Sequence, residues 1–157
     1  MQGALFSKEL HRYLSSSAYM LNCSLGTLLM LILAVICLVK GHSVTDMISK
    51  MPGLPDGILV FGACIAVCAA ASMNDLTAPS VSLEGKTLWI VRSLPVTSWQ
   101  ILRAKIRMHV ILTMVPAMVL DVALMAVVKP SLTNGVMMLL IPCLYVCLTA
   151  YIGLAVN

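Results

Sequence analysis

Charged residues are scarce in this sequence. Asp, Glu, Lys and Arg make up 10% of its 157 residues, whereas 61% are hydrophobic, and the mean hydropathy is +1.01. An average soluble domain carries about 25% charged residues. The composition therefore excludes an ordinary soluble domain and indicates an integral membrane protein.

The sequence also lacks the patterns that mark enzymes and metal proteins. Its six cysteines include no C-x-x-C pair. Cys64 with Cys68, and Cys143 with Cys147, have i,i+4 spacing and could share a metal, but no neighbouring cation would stabilise thiolates in an apolar span. No nucleophile with an adjacent base is visible, and we expect His109 at headgroup depth. We therefore predict no enzyme activity, no metal and no cofactor.

Four apolar runs are long enough to cross a bilayer as helices, given a rise of about 1.5 Å per residue and a hydrocarbon core of about 30 Å. They cover residues 18–39, 54–73, 108–128 and 135–156. The second is the weakest, because it opens on a Pro-Asp-Gly turn. We predict an all-α, polytopic membrane helix bundle with about four transmembrane helices and cytoplasmic amphipathic surface helices, forming a single transmembrane domain over residues 1–157.

The formal net charge of +4 matters less than its distribution. Most basic residues precede the first span or lie in the central loop, residues 74–107, and only three fall in the other two loops. By the positive-inside rule, both termini and the central loop are cytoplasmic. The basic residues are then expected to face lipid headgroups or a cytosolic partner. Without an accompanying aromatic surface they do not predict nucleic-acid binding.

Two local patterns add to this architecture. Phe6, Leu10, Tyr13 and Leu14 recur at helical spacing before the first span, which predicts a short amphipathic helix at the membrane surface, and the serines that follow supply a capping point. In the second span, small residues at i,i+4 spacing predict close helix packing. They are Gly62, Ala66 and Ala70.

Asp121 is a carboxylate about seven residues from the outer end of the third span. A bare charge at that depth costs several kcal/mol, so the residue should face a water-filled path, find a partner or be protonated. It is a candidate for a transport path or for proton coupling. The alternative is a carboxylic acid hydrogen-bonded between helices or reaching toward Lys129.

The central loop contains an imperfect amphipathic helix at residues 83–94, broken by Pro95. A second helix follows, because Thr97 and Gln100 have capping-box spacing. Trp89 and Trp99 are expected at headgroup depth. The string Gly85-Lys86-Thr87 matches the end of a phosphate-binding loop, but Ser80 stands where that motif needs its first glycine, and no strand precedes it. We therefore do not expect this chain to bind ATP directly.

The segment from Ser80 to Pro95 resembles the permease subunits of bacterial ABC-2 type exporters, especially the large exporters of Firmicutes. Their pattern S-x-x-L-E-G-K-x-L-W-I-x-+-S-L-P, followed by a basic stretch ending in A-K, is similar to residues 80–95 and then 101–105. Residues 5–16 and 19–22 are similar to another segment of those proteins. Because the family's members are much longer, this chain resembles a fragment of one.

The resemblance implies a non-catalytic transmembrane subunit of the plasma membrane that exports a substrate while a separate ATPase subunit hydrolyses ATP. Its expected partners are that ATPase, the remainder of the permease or a second permease copy, and membrane lipid. The residues expected to couple to the ATPase are Glu84, Gly85, Lys86, Leu88, Trp89, Arg92 and Pro95.

Two other functions stay open at this point. The first is a small self-contained proton-linked carrier that uses Asp121. The second is a membrane scaffold without transport activity. The alternative to ATPase coupling is that the central helix floats on lipid, with its basic residues on anionic headgroups.

Overall fold

The computed structural model describes residues 2–50, 57–74, 76 and 97–156. Within these ranges the chain forms five α-helices and no strand. The helices are α1 (Gln2–Ser15), α2 (Ser17–Ser49), α3 (Ile58–Ser72), α4 (Ser98–Val128) and α5 (Leu132–Ala155). The predicted all-α membrane bundle is therefore confirmed.

Three of these helices are long and apolar enough to cross a membrane. Their spanning parts are Ser24–Met47 in α2 and the whole of α4 and α5. The remaining predicted span, the second, corresponds to α3, which has only 15 residues and so extends about 22 Å. It begins late because Gly57 precedes it with a left-handed φ of 91°. Residues 51–56, which include the start of the predicted span, lie outside the described residues.

Helix α2 differs from the prediction at its C-terminal end. It continues for ten residues beyond the apolar run that was expected to end at residue 39, and Lys40, His42 and Asp46 are exposed on this extension. Within the extension the Thr45 hydroxyl donates a hydrogen bond of 2.9 Å to the His42 carbonyl. The loop predicted after the first span is therefore partly helical.

The core of the bundle lies between α2, α3, α4 and α5. Helix α2 contributes one face on which Gly26, Met30, Ala34 and Gly41 are buried. The main cluster consists of Met30, Ala34, Val67, Ala70, Ala71, Ala117, Leu120, Ala123 and Val146. Alanine supplies about half of it, so these helices approach closely, as small residues allow in membrane proteins.

The small-residue face predicted for α3 is wrong in part. Gly62 and Ala66 are exposed, and only Ala70 of the predicted set is buried. The buried residues of α3 are Ala63, Cys64, Val67, Ala70 and Ala71. Helix α3 packs against α2, α4 and α5, and this face turns toward all three. The sequence of α3 contains more than one row of small residues, and its periodicity does not show which row is buried. In the structure the buried row includes Val67.

Helix α1 is present as predicted and ends at Ser15, and Ser16 separates it from α2. Its buried face differs from the expected one. Leu5, Glu9 and Tyr13 are buried, whereas Leu14 is exposed. Helix α1 contacts α2 and α4, so this face packs against protein. Glu9 lies on the same face, and its ion pair with α4 is described below.

The start of α4 agrees with its predicted cap. The Thr97 N–H donates to Gln100 Oε1 at 3.1 Å, half of the capping-box exchange. From Ser98 the helix runs without interruption through Val128. The surface helix and the third span of the prediction are thus one continuous helix, with Trp99 exposed and stacked under the Arg103 guanidinium at 5.7 Å.

Candidate functional site

Helix α4 carries a line of polar side chains through the bundle. Lys105, His109, Thr113 and Asp121 recur at multiples of four residues, with Ala117 in the remaining place. All five are at most 5% exposed. Residues four apart lie on one ridge of a helix, and this ridge winds slowly around the helix axis. We call this set the α4 polar ridge, and it extends over about 24 Å.

The ridge begins at an ion-pair cluster between α1 and α4. Lys105 Nζ lies 3.5 Å from Glu9 Oε2, and the two side chains are 2% and 7% exposed. Arg12 of α1 approaches the same oxygen at 3.7 Å. The expectation that the central basic residues face headgroups or a partner is therefore wrong for Lys105. The charge of Lys105 can be buried because the negative charge of the Glu9 carboxylate lies beside it.

His109 lies one turn further along the ridge. It is 1% exposed, so the expectation of a headgroup position is wrong. It lines a cavity of about 220 Å³ together with Ala71, Ser72, Asn74, Thr149, Ile152, Gly153 and Val156. The cavity lies at the end of the bundle where α3 and α5 finish and α4 begins.

Asn74 joins the end of α3 to α2. Its Oδ1 accepts a hydrogen bond of 2.9 Å from the Thr27 backbone N–H, and its Nδ2 donates one of 2.9 Å to Thr27 Oγ1. Asn74 itself is 1% exposed. A Cβ on Gly26 would lie 2.6 Å from Asn74 Oδ1 and 2.7 Å from the Ala70 carbonyl oxygen. Glycine at this position therefore permits the contact.

Replacing Asn74 with Ala should lower the free energy of unfolding by about 2 kcal/mol, because both hydrogen bonds to the partly buried Thr27 are lost. Titration with sodium dodecyl sulfate in mixed micelles measures this change. Ser72→Ala is the matched control, because the Ser72 hydroxyl is exposed and donates a hydrogen bond to the Ala69 carbonyl of its own helix. Equal effects of the two substitutions would show that Asn74 contributes no tertiary stabilisation.

Asp121 is the deepest residue of the ridge. It is fully buried, and neither carboxylate oxygen has a hydrogen-bond partner among the described residues. The thiols of Cys64 and Cys68 in α3 and Cys143 in α5 lie within electrostatic range of it. Lys129 is exposed beyond the helix end. Neither the interhelical hydrogen bond nor the contact with Lys129 that the sequence allowed is formed by the described residues.

The cysteines do not assemble a metal site in the part of the chain that the structure describes. No group of three or more His, Cys, Asp or Glu side chains there is arranged to hold a metal ion. Cys37 instead directs its thiol to the Ala123 carbonyl oxygen at 3.9 Å, and Cys143 lies 3.8 Å from the sulfur of Met118. These thiols act as small packing groups.

The seven residues expected to couple to an ATPase all lie outside the described residues. These are Glu84, Gly85, Lys86, Leu88, Trp89, Arg92 and Pro95, within residues 77–96. No family model, curated protein or solved structure matches this chain. The family resemblance of this segment therefore stays a prediction, as does Asp121 as a transport-path residue.

Sequence reasoning missed the partners that hold the two ends of this segment. Asn74 was assigned to the loop, although an amide directly after an apolar helix can reach a neighbouring helix. Glu9 was not singled out from the sequence. A single acidic residue in a basic segment was the available signal, since a buried lysine requires an anionic partner.

Proposed function

We propose that this chain is part of the permease subunit of an ABC-type exporter, working with a separate ATPase subunit in the plasma membrane. The resemblance of residues 80–95 to such permeases supports this proposal. The observation that supports coupling is that both helices leading into this segment are fixed to the bundle by buried polar contacts. Asn74 joins the end of α3 to α2, and Lys105 joins the start of α4 to α1.

This arrangement suits transmission of a movement. A force applied to residues 77–96 reaches α3 and α4 directly, and the two polar contacts transfer it to the other helices as rigid bodies. A loop joined by apolar packing alone would let the helix ends slide. In the same proposal the loop and both termini face the cytoplasm, following the distribution of basic residues.

Charge reversal in the central segment tests the proposal. The affinity-tagged chain, purified from its own membrane in the presence of ATP, should retain a protein with a complete phosphate-binding loop. The double variant Glu84→Lys/Lys86→Glu should lose it, because charged contacts at an interface set the partner and its orientation. Mass spectrometry of the purified material identifies the retained subunit.

The matched control is Lys40→Glu/Asp46→Lys, which also leaves the net charge unchanged and lies on the exposed end of α2. It should retain the ATPase subunit. Undiminished retention by the Glu84→Lys/Lys86→Glu variant would contradict the coupling role of this segment. Loss of the subunit in both variants would contradict it as well, because the effect would then not depend on the position.

A further inference from the structure

The α4 polar ridge ends at a carboxyl group whose burial is unexplained by the contacts around it. Asp121 has no hydrogen-bond partner among the described residues. A charged carboxylate without a donor or a cation is strongly unfavourable inside a membrane bundle. The closed bundle therefore holds this group as the neutral acid.

The groups that face Asp121 decide which ligand it could take. Helix α3 presents the thiols of Cys64 and Cys68, and helix α5 presents Cys143. Among the described side chains of α2, Cys37 directs its thiol into the adjoining contact with α4. Sodium, calcium and magnesium require several oxygen ligands, which these side chains do not provide. A proton requires only the carboxyl itself.

The α4 polar ridge also indicates the direction from which water would reach Asp121. The cavity beside His109 lies at the end of the bundle, and Thr113 follows about 6 Å deeper. Thr113 is fully buried, and its hydroxyl oxygen has no hydrogen-bond partner among the described residues. Pro116 has no N–H, so the Leu112 carbonyl at the same level lacks its usual helical donor. These groups could each bind a water molecule.

The last interval, from Thr113 to Asp121, is about 12 Å long and closed. The buried cluster at this level of the bundle is rich in alanine, with Ala70 and Ala71 of α3 and Ala117 of α4 among its members. The two helices beside it each contain a buried proline, Pro116 and Pro142, where helices bend most readily. A small bend of α4 or α5 at these prolines would therefore admit water.

We propose that Asp121 is a proton-binding site that exchanges with water at the end of the bundle where α4 begins, along the α4 polar ridge. When the interval opens, the carboxyl O–H bond breaks and the proton passes to a water molecule, leaving a hydrated carboxylate. Closure follows return of the proton. This inference is independent of the exporter proposal, because an ATPase partner neither requires nor forbids it.

Infrared difference spectroscopy of the purified chain in lipid tests the site. We expect a carbonyl stretching band of a protonated carboxyl near neutral pH that is lost at alkaline pH and absent from Asp121→Asn. The control Asp46→Asn, on the exposed end of α2, should retain it. A band that persists at every pH would reveal a permanently neutral structural acid, and absence of the band at every pH would reveal a paired carboxylate. Either result overturns the proposal.

Hydrogen–deuterium exchange of the same band tests the route. Thr113→Val, which keeps the side-chain shape, should slow the exchange about tenfold, because the approach loses one hydrogen-bonding group. Thr133→Val is the control, since Thr133 is exposed at the opposite end of the bundle. Equal exchange rates in wild type, Thr113→Val and Thr133→Val would overturn the route along the ridge.

Discussion

Replacing Glu9 with Gln should lower the free energy of unfolding by about 3 kcal/mol, because the buried charge of Lys105 loses the carboxylate 3.5 Å away. The substitution keeps the size of the side chain, so the loss reports on charge. Unfolding by sodium dodecyl sulfate in mixed micelles measures it. The same variant should release α1 from α4, which protease digestion near residue 12 would detect.

The reverse single substitution, Lys105→Met, should cost less, about 2 kcal/mol, because Glu9 keeps the Arg12 guanidinium 3.7 Å away. The double variant Glu9→Gln/Lys105→Met should then be about as stable as Lys105→Met alone. That result corresponds to a coupling energy of about 3 kcal/mol, within the range found for residues in direct contact. Additive losses would show that Glu9 and Lys105 do not stabilise each other.

Arg107→Met is the matched control for this cycle. Arg107 lies two residues from Lys105 on the same helix but is exposed. Removal of an exposed charge typically changes stability by less than about 1 kcal/mol. If Arg107→Met were as costly as Lys105→Met, the effect would reflect the overall charge of this end of the bundle and not the buried pair.

The fold was largely predictable because membrane helices are encoded by length and composition. Backbone groups in a bilayer must be hydrogen-bonded within the protein, so long apolar runs favour helices. Helix α5 follows its predicted span closely, whereas α4 begins ten residues before the predicted one. The extension of α2 to Ser49 was missed because its polar residues look like a loop. The sequence does not show which face of a helix contacts its neighbours. The buried face of α3 was therefore wrongly assigned to Gly62 and Ala66.

The candidate site was predicted only at Asp121, since one carboxylate in an apolar run is conspicuous. The rest of the α4 polar ridge was not predicted, because part of it lies at the boundary between a predicted span and a predicted loop. Lys105 and His109 lie where an apolar run gives way to a polar loop, and composition assigns such residues to headgroups. The structure instead continues α4 through this boundary as one helix and covers Lys105 and His109 with residues of α1, α3 and α5. Burial there depends on tertiary packing.

The glycines of the bundle differ sharply in what surrounds them. A Cβ on Gly26 would meet the backbone oxygen of Ala70 and the amide of Asn74, both closer than 3.0 Å. A Cβ on Gly41 would lie 2.7 Å from a methyl carbon of Val127. A Cβ on Gly62 would meet nothing within 4 Å. Room for a Cβ at Gly26 requires two helix backbones to separate, whereas room for one at Gly41 requires only the Val127 side chain to shift, since both of its methyl carbons lie within 2.8 Å.

Replacing each of these three glycines with Ala should therefore give a graded series. Gly26→Ala should cost about 3 kcal/mol, because α2 and α3 must separate and the two Asn74 hydrogen bonds to Thr27 weaken. Gly41→Ala should cost about 1 kcal/mol. Gly62→Ala should be neutral or stabilising by up to about 1 kcal/mol, since alanine favours the helix.

The same titration in mixed micelles ranks the three variants, and Gly62→Ala serves as the control for helix propensity. Because an opened contact between α2 and α3 releases the α3 end that leads into residues 77–96, Gly26→Ala should also weaken retention of the ATPase subunit, whereas Gly62→Ala should leave it unchanged. Equal stability of Gly26→Ala and Gly62→Ala to within about 0.5 kcal/mol would mean that α2 and α3 do not approach as closely as the structure has them. The coupling of this loop to α2 would then lose its physical basis.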